Sequence, residues 1–122
     1  MKESILKDKS LPFAIRIVNL YKFLVSEHKE FVLSKQILKS GTSVGANIRE
    51  ASFGESKSDF IHKLAIAQKE INETLFWLEL LKETSYITEL QYESINIQAI
   101  ELLKLITSSI KTAKRNIGVT GD

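Results

Sequence analysis

Apolar residues recur every three or four positions over four long stretches of this chain, with polar breaks near residues 28–34, 53–57 and 84–88 and after 117. That period places apolar side chains on one face of a helix. The first stretch, over about 11–28, carries Ala14, Ile17, Val18, Tyr21, Leu24 and Val25, widened by Phe13 and Leu20. Ser10 reads as its N-cap, and Pro12 then falls in the first turn, where its missing N–H costs nothing. The second stretch, over about 35–53 behind a Ser34 cap, has a stripe rich in small residues: Ile37, Gly41, Val44, Ile48 and Ala51. Gly41 and Gly45 each cost about 1 kcal/mol relative to alanine inside a helix, a cost offset where two helix backbones approach closely. The third, over about 58–84, is capped by Ser56 or Ser58. Its Phe60, Leu64, Ala67, Ile71, Thr74, Leu78 and Leu81 step in alternating fours and threes, a coiled-coil-like seam. The fourth, over 89–116, has Thr88 as N-cap, Gly118 beyond its last turn, and the seam Tyr92, Ile95, Ala99, Leu102, Ile106, Ile110 and Ala113. No hairpin dipeptide or sustained period-two run signals a strand. Short connections favour antiparallel neighbours. The pattern predicts one all-α domain over residues 1–122, an antiparallel up-down four-helix bundle.

Composition agrees with a globular domain: 122 residues, 43% hydrophobic and 26% charged. The absence of cysteine removes disulfides, thiolate metal sites and a cysteine nucleophile together. Charges at Lys2, Glu3, Lys7, Asp8 and Lys9 break up the N-terminus before an apolar signal core forms, and no apolar run nears the roughly 20 residues of a membrane span. The expectation is a cytoplasmic protein without membrane association.

The candidate catalytic motifs fail on chemistry. Ser40-Gly41-Thr42-Ser43-Val44-Gly45 has the glycines of a phosphate loop, but Ala46 and Asn47 stand where the lysine and hydroxyl residue are needed. Glu70 and Glu73 are one turn apart, yet no Glu-x-x-His pair accompanies them, and His28 and His62 fall at helix ends. No catalytic residue, metal site or cofactor is expected. Two polar patterns remain. Gln36, Ser40, Ser43, Asn47 and Glu50 follow a line about 100° around the second helix from its apolar stripe. They read either as a partly buried flank, with Glu73 on the third helix as hydrogen-bond partner, or as a solvent-facing stripe. Lys35, Lys39 and Arg49 share another face of the same helix, and Lys104, Lys111 and Arg115, with Lys114 beside them, line the fourth. These cations are either ordinary solvated charge, favoured near a helix C-terminus by its dipole, or contacts for a phosphate backbone. A net charge of +2, from 17 basic and 15 acidic residues, does not decide between the two. Phe13, Leu20, Phe23, Phe53, Phe76 and Leu80 exceed what one four-helix core covers, which points to a homo-oligomer.

The run from Ser34 to Ala51, with Gln36, Ser43, Asn47 and Glu50, resembles the signature of the four-helix bundle family named after the 23S rRNA intervening-sequence proteins. The similarity continues through Ser56–Ala67, Glu70–Thr74 and Trp77–Leu81 and covers roughly residues 10–115; Phe60, Ala67 and Glu73 belong to its core. Ala51 stands where the family often has glycine. The resemblance implies bacterial origin, a four-helix up-down protomer and a homopentameric ring. Founding members are encoded within inserts of large-subunit rRNA genes. Similar, more basic pentamers serve diversity-generating retroelements, where they contact a reverse transcriptase and nucleic acid. Two functional readings follow: a non-enzymatic oligomeric module that binds RNA or DNA, directly or through a protein partner, and a protein–protein scaffold that binds no nucleic acid. An enzyme or metal carrier built on the bundle is a distant third.

Overall fold

The computed structural model describes residues 2–118, with side chains from Ile5 onward. It contains α1 (Lys2–His28), α2 (Leu33–Ser52), α3 (Lys57–Glu83) and α4 (Glu89–Asn116). Of the described residues 87% are helical and none is in a strand, as the four periodic stretches predict. Each helix packs on its two neighbours in a closed cycle, α1 on α2, α2 on α3, α3 on α4 and α4 back on α1. Four- and five-residue connections make successive helices antiparallel.

The predicted seams of α2, α3 and α4 face the core. Ile37, Val44, Leu64, Ala67, Ile71, Leu78, Leu81, Ala99 and Ile106 are all at 0% exposure. Gly41 is buried at the α1–α2 contact, and a β-carbon there would stand 2.7 Å from Ile17 Cγ2. The gain in close backbone approach outweighs the helix-propensity cost of that glycine.

The first helix differs from its prediction. It begins about nine residues earlier, and Ser10 is not an N-cap but a buried interior residue whose hydroxyl donates to the Lys7 carbonyl at 3.1 Å. Leu6, Ser10, Phe13, Ile17 and Leu24 form the buried line, and Ala14, Val18, Tyr21 and Val25 flank it half-buried. Lys7, Asp8 and Lys9 occupy the exposed face of the same helix. Pro12 removes the hydrogen bond to the Asp8 carbonyl, on a side where both residues are exposed to water.

The start of α2 is also built differently. Ser34 is not its cap. The Glu30 carboxylate accepts from the amides of Val32, Leu33 and Ser34 at 3.2, 3.0 and 2.7 Å, and the Ser34 hydroxyl donates back to the Glu30 carbonyl at 2.9 Å. Burial pushes the Glu30 carboxyl up, but the amides of Leu33, Ser34 and Val32 outweigh it and hold the group below its ordinary value. Ser56 caps α3 by accepting from the Asp59 amide, and Thr88 caps α4 in a capping box with Gln91. At the α3–α4 turn Ser85 adopts φ 67°, Tyr86 N–H reaches back to the Leu81 carbonyl at 2.9 Å, and buried Ile87 closes the end of the core. Lys82 clamps that turn, 3.3 Å from Glu83 and 4.4 Å above the Tyr92 ring.

Candidate nucleic-acid interface

The polar line of α2 borders α3. Ser40, buried, lies 2.9 Å from the Thr74 hydroxyl, and Glu50 meets the Lys63 ammonium at 2.8 Å. Ser43 and Asn47 are half-buried on the same edge, whereas Gln36 and Glu50 are exposed. The expected link between Asn47 and Glu73 does not form. Asn47 Nδ2 donates to the Ser43 carbonyl at 2.8 Å, and Glu73 accepts from the Trp77 indole N–H at 3.1 Å. The reason is register. The pairs Ser40–Thr74 and Glu50–Lys63 fix the antiparallel alignment of α2 and α3, which puts Asn47 level with the region of Ile66. Glu73 is about two turns, or 10 Å, further along. The polar contact inside the core is Ser40–Thr74, with the Thr74 hydroxyl also 2.8 Å from the Glu70 carbonyl.

The two basic lines fare differently. Lys35, Lys39 and Arg49 are all exposed on α2, but Lys35 and Arg49 are about 21 Å apart along the axis. Arg49 also lines a hollow with Glu50, Glu55, Asp59, His62 and Lys63, so carboxylates surround it. On α4, Lys104, Lys111 and Arg115 line one shallow hollow of about 500 Å³ together with Thr107, Ser108 and Thr112. No acidic residue among those described lines it. Lys104 and Lys111 are exposed and have no ion-pair partner among the described residues. Lys114 is half-buried beside them in the last turn, where the helix dipole favours a cation. Cations spread over about 16 Å of one helix are spaced to meet successive phosphates of a nucleic-acid backbone, and the Thr112 hydroxyl between them donates to the Ser108 carbonyl at 3.0 Å. The structure thus brings the α4 residues together and leaves the α2 residues dispersed.

His28 is held between aromatic edges, 5.1 Å from Phe23 and 5.5 Å from Tyr86, and His62 borders the Arg49 hollow. No group of three His, Asp or Glu residues among those described is arranged to hold a metal. No helix among the described residues is long and apolar enough to cross a membrane. Of the apolar residues judged in excess, Phe13 is in fact buried in the core, at 1% exposure, because α1 turns it inward. Phe53 and Phe76 are exposed at 82% and 56%, and Leu20, Phe23 and Leu80 are half-buried.

Arg16 escaped the sequence reading. Its guanidinium crosses from α1 to α4, where Nη1 donates to the Ser94 carbonyl at 3.1 Å and to Gln98 Oε1 at 3.0 Å. Nη2 donates to Ser94 Oγ at 3.0 Å. It borders an α1–α4 groove of about 450 Å³ whose walls include Leu20, Phe23, Ile87 and Leu90. The available signal was a single cation followed at steps of four and three by Leu20 and Phe23.

An all-α four-helix bundle with a basic face on its fourth helix is the class these observations define. The family model of the 23S rRNA-intervening sequence proteins matches residues 2–108, and the chain belongs to that family. A crystal structure of a protein of unknown function from the S23 ribosomal protein family of Bacteroides thetaiotaomicron VPI-5482 is 67% identical. The match covers 91% of this chain and 99% of that one, with a TM-score of 0.90. No curated protein matches the chain.

Proposed function

We propose that this chain is the protomer of a cytoplasmic, non-enzymatic homo-oligomer, with five copies as the family resemblance implies, that binds RNA or DNA through the basic face of α4. The observation that carries this reading is that exposed Lys104 and Lys111, neither ion-paired among the described residues, share one hollow with Arg115. Repetition around a symmetry axis multiplies a local patch, so a protomer of net charge +2 still offers many phosphate contacts per particle. Exposed Phe76, Leu90 and Ile97 give the protomer a motive to assemble. The names of this family and of the family of the solved relative both refer to the ribosome or its RNA, which supports RNA as the first nucleic acid to test. Recognition is expected to be largely sequence-independent, since no aromatic residue among those described lines the hollow with the cations.

The test is the nucleic acid that co-purifies with the native oligomer at low salt. Retained RNA or DNA that is released as salt is raised supports the proposal. A clean oligomer free of nucleic acid from the same cells favours the protein–protein scaffold.

A further inference from the structure

The helix α3 carries two seams. The inner one makes the core. The outer one, Ile66, Glu70, Glu73, Trp77 and Leu80, also steps in fours and threes, and every member is only half-buried. Glu73 accepts from Trp77, and the Glu70 carboxylate has no hydrogen-bond or ion-pair partner among the described residues. A 4-3 repeat left half-covered is the pattern of a helix face that packs on another helix.

The α1–α4 groove has the opposite character. Three guanidinium N–H groups of Arg16 are used, both on Nη1 and one on Nη2. Of the five donors this leaves Nε–H and the second Nη2–H. No carboxylate lies within ion-pair distance of Arg16 among the described residues. Two remaining donors on a planar fork suit a carboxylate. Around them the walls are mainly apolar, with Asn19, Gln91 and Ser94 as the polar exceptions, and Leu90 on the rim is 79% exposed. The groove therefore offers one cation flanked by apolar surface. The outer seam of α3 offers two carboxylates flanked by apolar surface.

Resting on the oligomeric reading above, we propose that the occupant of the α1–α4 groove is the outer α3 seam of a second copy of this chain, with Arg16 of one copy pairing with Glu70 of the next. Groove and seam lie on different sides of the bundle, because α3 does not touch α1 and each helix packs only on its neighbours in the cycle. One copy can then receive a neighbour in its groove while presenting its own seam to another. The contact is heterologous and propagates head to tail, which closes into a ring when the rotation permits. The exposed apolar rim and the half-covered Trp77 become the dry centre of the interface, and the charge pair sets its register.

Light scattering on the wild-type protein and three variants at micromolar concentration tests this. The wild type is expected at a multiple of 13.8 kDa. Arg16→Glu and Leu90→Asp are each expected at the single-chain mass, and Arg16→Glu combined with Glu70→Arg is expected to regain the larger mass. Leu90 is exposed, so Leu90→Asp keeps the helical content and thermal transition of a folded bundle even where Arg16→Glu loosens the α1–α4 contact. A wild-type oligomer whose mass both single variants retain overturns the groove-to-seam contact and leaves the oligomeric reading standing. A wild-type single-chain mass overturns both.

Discussion

Ile17 on α1 occupies the space in which a side chain on Gly41 of α2 would have to stand, its Cγ1 and Cγ2 lying 2.8 and 2.7 Å from the position of a β-carbon there. At Gly45, one turn on, the nearest atom is Ser10 Cβ at 3.6 Å, an ordinary contact. The two glycines of the small-residue stripe are thus unlike. Gly41→Ala is expected to destabilise the protein by about 1–3 kcal/mol through overpacking against a branched side chain that the core holds in place. Gly45→Ala is expected to be neutral, or to stabilise by up to about 1 kcal/mol through helix propensity. Urea denaturation midpoints of the two variants check this, and equal effects would remove the distinction.

A pH dependence follows from the Glu30 cap. Its folded-state pKa lies below the ordinary 4.5, so ionised Glu30 contributes stability above the unfolded value, and that contribution is lost as pH falls through the folded value. Glu30→Gln is expected to cost about 1–2 kcal/mol at neutral pH by weakening three amide contacts at once. The gap between wild type and variant is expected to hold from pH 8 to about pH 5 and to shrink below about pH 4.5. Stability measured by denaturant at each pH, with a gap that stays constant down to pH 3, would count against carboxylate capping.

Within the core, Ser40 and Thr74 depend on each other. Thr74→Val leaves the Ser40 hydroxyl with only the Ile37 carbonyl at 3.5 Å and is expected to cost about 1–3 kcal/mol. Ser40→Ala combined with Thr74→Val is expected to cost less than the sum of the two single changes. A double-mutant cycle in denaturant reads this coupling, and strict additivity would contradict it.

The bundle was legible because its seams keep one period: each residue of the second and third seams from Ile37 to Ala51 and from Leu64 to Leu81 faces the core. The exceptions have local causes. The first turns of α1 were hidden because Lys7, Asp8 and Lys9 interrupt the apolar signal between Leu6 and Phe13, and because Pro12 imitates a helix start. Glu30 was hidden because its long side chain reaches forward two to four residues to the amides of Val32, Leu33 and Ser34, and so starts the helix before the serine that reads as its cap. The Asn47–Glu73 link failed because helical periodicity fixes faces and not the register of one helix against another. Of the candidate site, residue spacing alone placed Lys104, Lys111 and Arg115 on one line. Dispersal of Lys35, Lys39 and Arg49 depended on the acidic residues that the α2–α3 turn folds around Arg49.

The most direct measurement of the central claim is a titration of structured RNA and of duplex DNA with the intact oligomer, repeated at about 50 and 200 mM salt. The account predicts binding at the lower salt that falls by orders of magnitude at the higher, as counterion release requires. Lys104→Glu with Lys111→Glu is expected to weaken it uniformly across sequences, whereas Lys35→Glu with Lys39→Glu leaves it largely intact. No detectable binding of either nucleic acid at the lower salt would contradict the account and leave the protein scaffold as the better reading.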